Sequence, residues 1–398
     1  MSSSGTCEIR HFCNIRDIVS FHFPSYRFKN LIKMERGQQL LTEAAALAQG
    51  DNYVPEVEAL LQKAVKSVPD LPDAWTALGH CLWKKGEIPA AKSCFETAIQ
   101  KCVEGHTGNK KEALRALSVT LRHFEKDSPN APAHISESID KAKEAVMLDV
   151  SDCHSWYWLG AAYLARFFSG TPQAEDLRNA LKAYKSAERN ATAPVPGATP
   201  SPTSSSLLDL YINRGTVYRF LMNFDLALAD YQHALRIEPN CAEAQNFLEQ
   251  LREVVTQIQA SLSKKPQYLS AKQWTTKIAS FPAGSQAADA LLPGANPAVR
   301  LGCIVMQSIS SPTAVPQLLL CADRNRAPLL CALYNMTADA IPSGAVLDVA
   351  DPLLQMVPIG DGKSVRCVRC ENIDKVHVNG LPVPVGHRAI PVCTTTTS

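Results

Sequence analysis

The clearest hydrophobic pattern in the chain lies between Leu208 and Asn240, where two short amphipathic helices are predicted on either side of a turn. Small and aromatic residues alternate on one face of each helix, namely Tyr211, Gly215 and Tyr218 on the first and Ala227, Tyr231 and Ala234 on the second. Each small residue leaves room for a ring of the partner helix. A unit of about 34 residues built in this way does not bury its apolar face alone and stacks on related units.

Related units precede this one and predict an array of tetratricopeptide repeats over residues 34–262. The pattern is plain around Trp75, Gly79 and Phe95, and it returns around Gly160 and Tyr184. A looser unit with Leu114, Leu117, Leu121, Ala142 and Ala145 lies between them. With a first pair starting near Glu35 and a last helix from Ala242 to Leu262, the pattern predicts five helix pairs and a cap.

The pattern changes after residue 262. Residues 263–298 are rich in Pro, Ala, Gly and Ser and are predicted to form a basic linker with at most one helix. Residues 299–393 then show a period of two, which predicts short strands at Leu301–Ile309, Leu318–Cys321, Leu329–Tyr334, Ala345–Val349, Val365–Val368 and Val376–Val378. About 100 residues with five or six short strands suit a small closed barrel or a sandwich. The fold class is therefore mainly α, a repeat superhelix followed by a small all-β domain.

The two ends of the chain carry no sustained pattern. Residues 1–33 are interpreted as a disordered leader or as the product of a wrongly assigned translation start, and residues 394–398 as a disordered tail.

Composition limits the kinds of partner and the cellular compartments to be expected. The 398 residues carry a formal charge of +2, so nucleic-acid binding would need a local basic patch. No run of 18 apolar residues occurs, so no membrane span is expected. Thirteen scattered cysteines, with Cys81, Cys94 and Cys303 at apolar positions, indicate reduced thiols in the cytoplasm or nucleus.

No catalytic signature is present, and we expect no enzyme activity, no cofactor and no metal. The pair Cys367 and Cys370 is a weak zinc signal without a second pair. On a strand these two thiols would point to opposite faces, which favours a packing role.

Three charged positions are predicted to face the inner groove of the array. Asp209 and Glu243 are 34 residues apart and so occupy equivalent places on successive first helices, and Arg122 follows the last packing residue of its helix. One cation and two anions suit a short peptide that carries both charges. The alternative is that these are ordinary solvated surface charges. The clamp that holds acidic chaperone tails in other arrays is missing, because the corresponding inward positions carry Thr76, His80, Tyr157, Ala161, Ile212 and Thr216.

From about Met34 to Pro384 the chain resembles the tetratricopeptide repeat protein 5 family, also called the stress-responsive activator family. The matching text includes SWYWLGAAYLARFFSG, ALGHCLWKKGEIPAAKSCFETAI, LSVTLRHF, DLYINRGTVY and VHVNG. The resemblance implies a repeat array followed by an OB-fold-like barrel. It also implies a cytoplasmic adaptor that recognises the N-terminal Met-Arg-Glu peptide of nascent tubulin on ribosomes and, with an mRNA-decay partner, promotes decay of tubulin mRNA.

By similarity, the peptide contacts of the family fall on Arg122, Asp209 and Glu243, and its ribosomal-RNA contact falls on a patch with Lys264, Lys265 and Lys272. The resemblance implies a second role in the nucleus, as a scaffold of a histone-acetyltransferase coactivator complex in stress responses, using the convex surface and the barrel. A third hypothesis, a nucleic-acid-reading barrel, ranks lower because Tyr334 is the only aromatic residue from Leu301 to Ser398.

Overall fold

The structure, a computed structural model, describes residues 25–387 except at 49, 51, 103–106, 125–128, 170–173, 193–203, 264–268, 310–315, 335, 337–340 and 361. The chain divides into two compact units, the first ending at Thr120 and the second beginning at Leu121. The expectations for the tail 394–398 and for most of the leader 1–33 lie outside the described residues.

Twelve helices are seen in the described part of the chain, and consecutive helices pack against each other in the first, second, fourth and fifth of the five predicted pairs. They are α1 (Ser25–Leu47), α2 (Pro55–Ser67), α3 (Pro72–Lys85), α4 (Ile88–Lys101), α5 (Thr107–His123), α6 (Ala131–Leu148), α7 (Cys153–Ser169), α8 (Ala174–Thr192), α9 (Ser204–Phe220), α10 (Phe224–Ile237), α11 (Ala242–Ser263) and α12 (Ala271–Ala279). Helix α11 is the predicted cap, and α12 is the helix expected within the linker.

Close approach of glycine to an aromatic ring is what interlocks the pairs. A Cβ added to Gly215 would lie 2.7 Å from the ring of Tyr231, and one added to Gly160 would lie 2.7 Å from Tyr184. The first unit repeats the arrangement with Gly79. Any side chain at these positions would collide with a buried ring, so the alternation seen in the sequence has a direct packing cause.

The first helix begins earlier than the sequence predicts. The pattern indicates a start near Glu35, whereas α1 begins at Ser25 and so includes the last nine residues of the expected leader. The reason is visible in the burial of α1, because the described buried positions begin at Gly37 and continue with Leu40 and Ala44. The earlier turns contribute no buried position among those described, and periodicity reports only buried faces.

The β region forms one nine-stranded sheet among the described residues. Its strands are β1 (Gly294–Ala295), β2 (Arg300–Ser308), β3 (Gln317–Asp323), β4 (Pro328–Leu333), β5 (Val346–Ala350), β6 (Leu353–Pro358), β7 (Ser364–Cys370), β8 (Val376–Val378) and β9 (Leu381–Pro382). The order across the sheet is β1-β6-β7-β4-β3-β2-β5-β8-β9, and β4 pairs with β7 in parallel. Six of these strands lie where the alternation predicts them.

The sheet corrects one detail of the expectation, because its described strands do not close into a barrel. The strands at its two ends, β1 and β9, are two residues long and too short to provide a closing ladder. Strand β6 was not predicted because it is bounded by prolines and exposes apolar side chains such as Met356, which obscures the alternation.

Both faces of the central strands are buried, and each face belongs to a different core. Leu318 and Leu320 of β3 pack with apolar residues of helices α7 to α11, whereas Leu319 and Cys321 point into a separate core enclosed by the strands. All seven residues of β3 are buried as a result. Within the second unit, the last repeats and the sheet therefore share one continuous apolar core.

Polar contacts fasten the sheet to the end of α9. The carbonyl of Phe220, which has no helical partner at this helix end, accepts a hydrogen bond from Arg369 Nη1 at 3.0 Å and another from the Tyr334 hydroxyl. The Arg369 guanidinium also lies 4.4 Å from the centre of the Tyr334 ring. The domain boundaries predicted from sequence remain predictions, but no described feature separates the array from the sheet in this unit.

Helix α12 packs on the sheet through Trp274, which contacts a small cluster formed with Ile304, Ala322 and Val346. Among the described helices, none is both long and apolar enough to cross a membrane.

Candidate functional site

A buried arginine on α5 marks the candidate site. Arg122 lies in the last turn of α5, where the helix dipole favours a cation, and only 7% of the residue is exposed. Its guanidinium lies 5.4 Å from the centre of the Trp158 ring. None of the three guanidinium nitrogens has a hydrogen-bond partner among the described residues, and burial lowers the pKa of the group.

Asp209 and Glu243, here called the carboxylate pair, lie at the starts of α9 and α11. Asp209 is exposed and Glu243 is half-buried. Partial loss of water raises the pKa of both carboxyl groups, and the charge of Asp209 raises the pKa of Glu243 further. Within the described ranges, neither carboxylate forms an ion pair.

Tyr157 on α7 connects the three charges. Burial raises the pKa of its hydroxyl, the charges of Asp209 and Glu243 raise it further, and the positive charge of Arg122 opposes them. All three groups therefore lie within electrostatic range of one phenol. The same hydroxyl accepts a hydrogen bond of 3.1 Å from Asn213, which lies one turn after Asp209 on α9.

The site thus combines side chains from α5 and from three successive first helices, α7, α9 and α11. For Arg122 the surface-charge alternative is wrong, because the side chain is buried. Asn213 was not predicted from the sequence, and Tyr157 was predicted only as an inward position. Both had a usable signal, since Asn213 shares a helix face with Asp209 and Tyr157 occupies an inward place on its first helix.

A second buried arginine shows what a satisfied guanidinium looks like in this fold. Arg214 on α9 is also 7% exposed and lies 5.3 Å from the Tyr211 ring. It donates two hydrogen bonds of 2.8 Å to Asp230 and also pairs with Glu188. Arg122 has the same burial and a similar aromatic neighbour but no such partners in the described part of the chain, which makes its guanidinium a candidate ligand contact.

The predicted basic patch is described only in part. Lys264 and Lys265 lie outside the described residues. Lys272 is exposed on α12, two residues from the buried Trp274 and so on the opposite side of the helix.

Comparison with known proteins supports the repeat array and the β domain. Residues 72–100 and 208–241 match tetratricopeptide repeat models, and residues 286–391 match the model of the tetratricopeptide repeat protein 5 OB fold domain. The tetratricopeptide repeat protein 5 of Bos taurus is 31% identical over 376 residues, which cover 87% of this chain and 80% of that protein. The chain belongs to the tetratricopeptide repeat protein 5 family. The human relative is 33% identical over 58% of this chain and 49% of its own length.

Membership of the tetratricopeptide repeat protein 5 family supports a protein-binding adaptor built on repeats and an OB-fold-type sheet. Among solved structures, the chain is similar to TTC0263, a tetratricopeptide-repeat protein of Thermus thermophilus, at 15% identity and a TM-score of 0.38. That match covers 56% of this chain and 97% of the other, and it is too weak to bear on the site.

Proposed function

We propose that this chain is a non-enzymatic peptide-binding adaptor that recognises the N-terminal Met-Arg-Glu peptide of nascent tubulin on cytoplasmic ribosomes and promotes decay of tubulin mRNA. One observation carries the proposal. A buried guanidinium and two carboxylates, none of them paired within the described residues, lie within electrostatic range of the hydroxyl of Tyr157. The family resemblance supplies the identity of the peptide.

The charge order of the peptide complements the site. The second residue of the peptide is a cation, which the carboxylate pair would accept, and the third is an anion, which Arg122 would bind. Charge-assisted contacts of this kind contribute about 1.5–3 kcal/mol each. Tyr157 and Asn213 are joined by a hydrogen bond, and their remaining hydrogen-bonding capacity suits the peptide backbone.

Calorimetric titration of the full chain with a peptide beginning Met-Arg-Glu tests the recognition step. We expect Asp209→Asn, Glu243→Gln and Arg122→Met each to weaken binding by about 1.5–3 kcal/mol, or roughly tenfold to more than a hundredfold. Asp225→Asn is the matched control, because it removes an exposed acid from the second helix of the same repeat and should leave affinity unchanged.

A double-mutant cycle identifies which charges meet. Replacing the third-position glutamate of the peptide by glutamine should cost little once Arg122 is already methionine, and replacing its arginine should cost little once the carboxylate pair is neutral. Additive losses in both cycles would exclude direct contact and with it the proposed recognition.

The cellular steps need a separate experiment. We expect the wild-type chain to be captured by translating ribosomes that expose a tubulin nascent chain and not by ribosomes that expose an unrelated one. The variants Asp209→Asn, Glu243→Gln and Arg122→Met should not be captured by ribosomes that expose the tubulin nascent chain. If they bind ribosomes normally and tubulin mRNA still decays, the peptide-reading function is wrong and the nuclear scaffold hypothesis is left.

A further inference from the structure

Three thiols converge in the core enclosed by the strands. Cys303 of β2, Cys321 of β3 and Cys331 of β4 are each 0% exposed and belong to the same apolar cluster. Their sulfur atoms all lie within 4.8 Å of one another, and the sulfurs of Cys303 and Cys331 are 3.8 Å apart. They come from three neighbouring strands, so the curl of the sheet brings them together.

The arrangement does not suit a disulfide. The register places Cys321 opposite Val305 on one side and Leu329 on the other, so no two of the three cysteines are directly opposed. Diagonal neighbours on adjacent strands lie about 7–8 Å apart, beyond the usual span of a disulfide. Cys303 and Cys331 are further separated by the whole of β3. All three sulfurs approach a common centre instead.

Three sulfurs around one centre suit a metal ion. A metal–sulfur bond of about 2.3 Å gives sulfur–sulfur separations of about 3.8 Å in a tetrahedral site and about 4.0 Å in a trigonal one. The observed distances need only small side-chain shifts to match. Thiolate ligands select Cu⁺ and Zn²⁺ over hard cations such as Mg²⁺.

The carboxylate of Asp323 is engaged elsewhere and is not a candidate metal ligand. Asp323 is fully buried, but its oxygens accept hydrogen bonds from the backbone N–H groups of Ala288, Asn325 and Ala327.

We propose that Cys303, Cys321 and Cys331 form a binding site for a thiophilic metal ion, either Cu⁺ or Zn²⁺, inside the β domain. The two ions differ in coordination. Three thiolates complete a site for Cu⁺, whereas Zn²⁺ takes a fourth ligand. Cys370 is the candidate, because it lies in the same apolar cluster and on β7, which pairs with β4, the strand that carries Cys331. This site is separate from the peptide groove and does not depend on the proposed function.

The test measures metal content in the folded full chain. The chain is refolded under reducing, anaerobic conditions with one equivalent of Cu⁺ or Zn²⁺, passed through a desalting column, and analysed for metal by mass spectrometry. We expect close to one ion per chain. Cys321→Ser and Cys331→Ser should lose it, and Cys367→Ser should retain it, because Cys367 is equally buried in the same sheet but faces the helices.

Cys370→Ser distinguishes the ions, since it should abolish Zn²⁺ retention and leave Cu⁺ retention intact. Cys321→Ala, together with circular dichroism of every variant, checks that metal is lost because a thiol is missing and not because the variant misfolds. The wild-type result decides the question even if every variant unfolds. A folded wild-type chain that retains less than about a tenth of an equivalent of either ion would show that the three thiols only pack.

Discussion

Replacing Arg122 by methionine should stabilise the free protein while it weakens peptide binding. Methionine has a similar length and fills the same buried space without a charge. In most proteins, removing a buried arginine is destabilising because it strands the partner carboxylate. Arg122 has no such partner among the described residues, so the usual cost does not arise.

The expected gain follows from the contacts of the guanidinium. A buried polar group without a hydrogen bond costs about 1–3 kcal/mol, and a buried charge costs several kcal/mol. The Trp158 ring at 5.4 Å offsets about 2 kcal/mol of that cost. We therefore expect Arg122→Met to raise the free energy of unfolding by about 1–3 kcal/mol, measured by urea denaturation.

Arg214→Met is the matched control. This arginine has the same 7% exposure and a similar ring contact, but its loss strands Asp230, which is 4% exposed. We expect it to lower the free energy of unfolding by about 3–5 kcal/mol. If Arg122→Met were also destabilising by more than about 1 kcal/mol, its guanidinium would be satisfied in the free protein. The argument that its charge awaits a ligand would then be wrong.

Three further predictions concern other groups. Because the pKa values of the carboxylate pair are raised above 3.8 and 4.5, peptide affinity should fall on acidification before ordinary carboxylates titrate, which a pH titration of binding would check. The same two charged groups lower the free energy of unfolding at neutral pH, and this destabilisation should disappear as the pH falls through their raised pKa values, which urea midpoints across the same pH range would check. Lys272→Glu should weaken co-sedimentation of the protein with ribosomes and reduce the salt dependence of that binding. Lys363→Glu, which replaces another exposed lysine, should change neither. Gly215→Ala should lower the free energy of unfolding by about 1–3 kcal/mol through its collision with Tyr231, and Gly386→Ala, which meets open space, should leave the urea midpoint unchanged.

The repeat fold was predictable because its signal is local. Residues such as Gly215 and Tyr231 are 16 positions apart, and their spacing reports the packing that brings them into contact. The β domain was less predictable. Strand β6 was missed because it is bounded by prolines and two of its six residues are exposed apolar side chains. The open sheet was missed because pairing between distant strands leaves no pattern in the sequence.

In the candidate sites too, features set by local spacing were predictable and features set by distant contacts were not. Helical spacing was enough to select Asp209 and Glu243, whose equivalence is a property of the repeat. The burial of Arg122 depends on Trp158, which is supplied by another repeat, so position alone did not reveal it. The convergence of Cys303, Cys321 and Cys331 depends entirely on the curl of the sheet, and the sequence predicted no metal there.

The apolar core that the last repeats share with the sheet sets a limit on how this chain can be divided. A fragment ending at the cap helix would leave the helix residues that pack against Leu318 and Leu320 facing water, and the isolated sheet would expose the opposite side of the same contact. We expect both fragments to self-associate when expressed alone. Deletion studies that assign one activity to the repeats and another to the β domain would then compare aggregates with a native protein, and point substitutions are the sounder way to separate them.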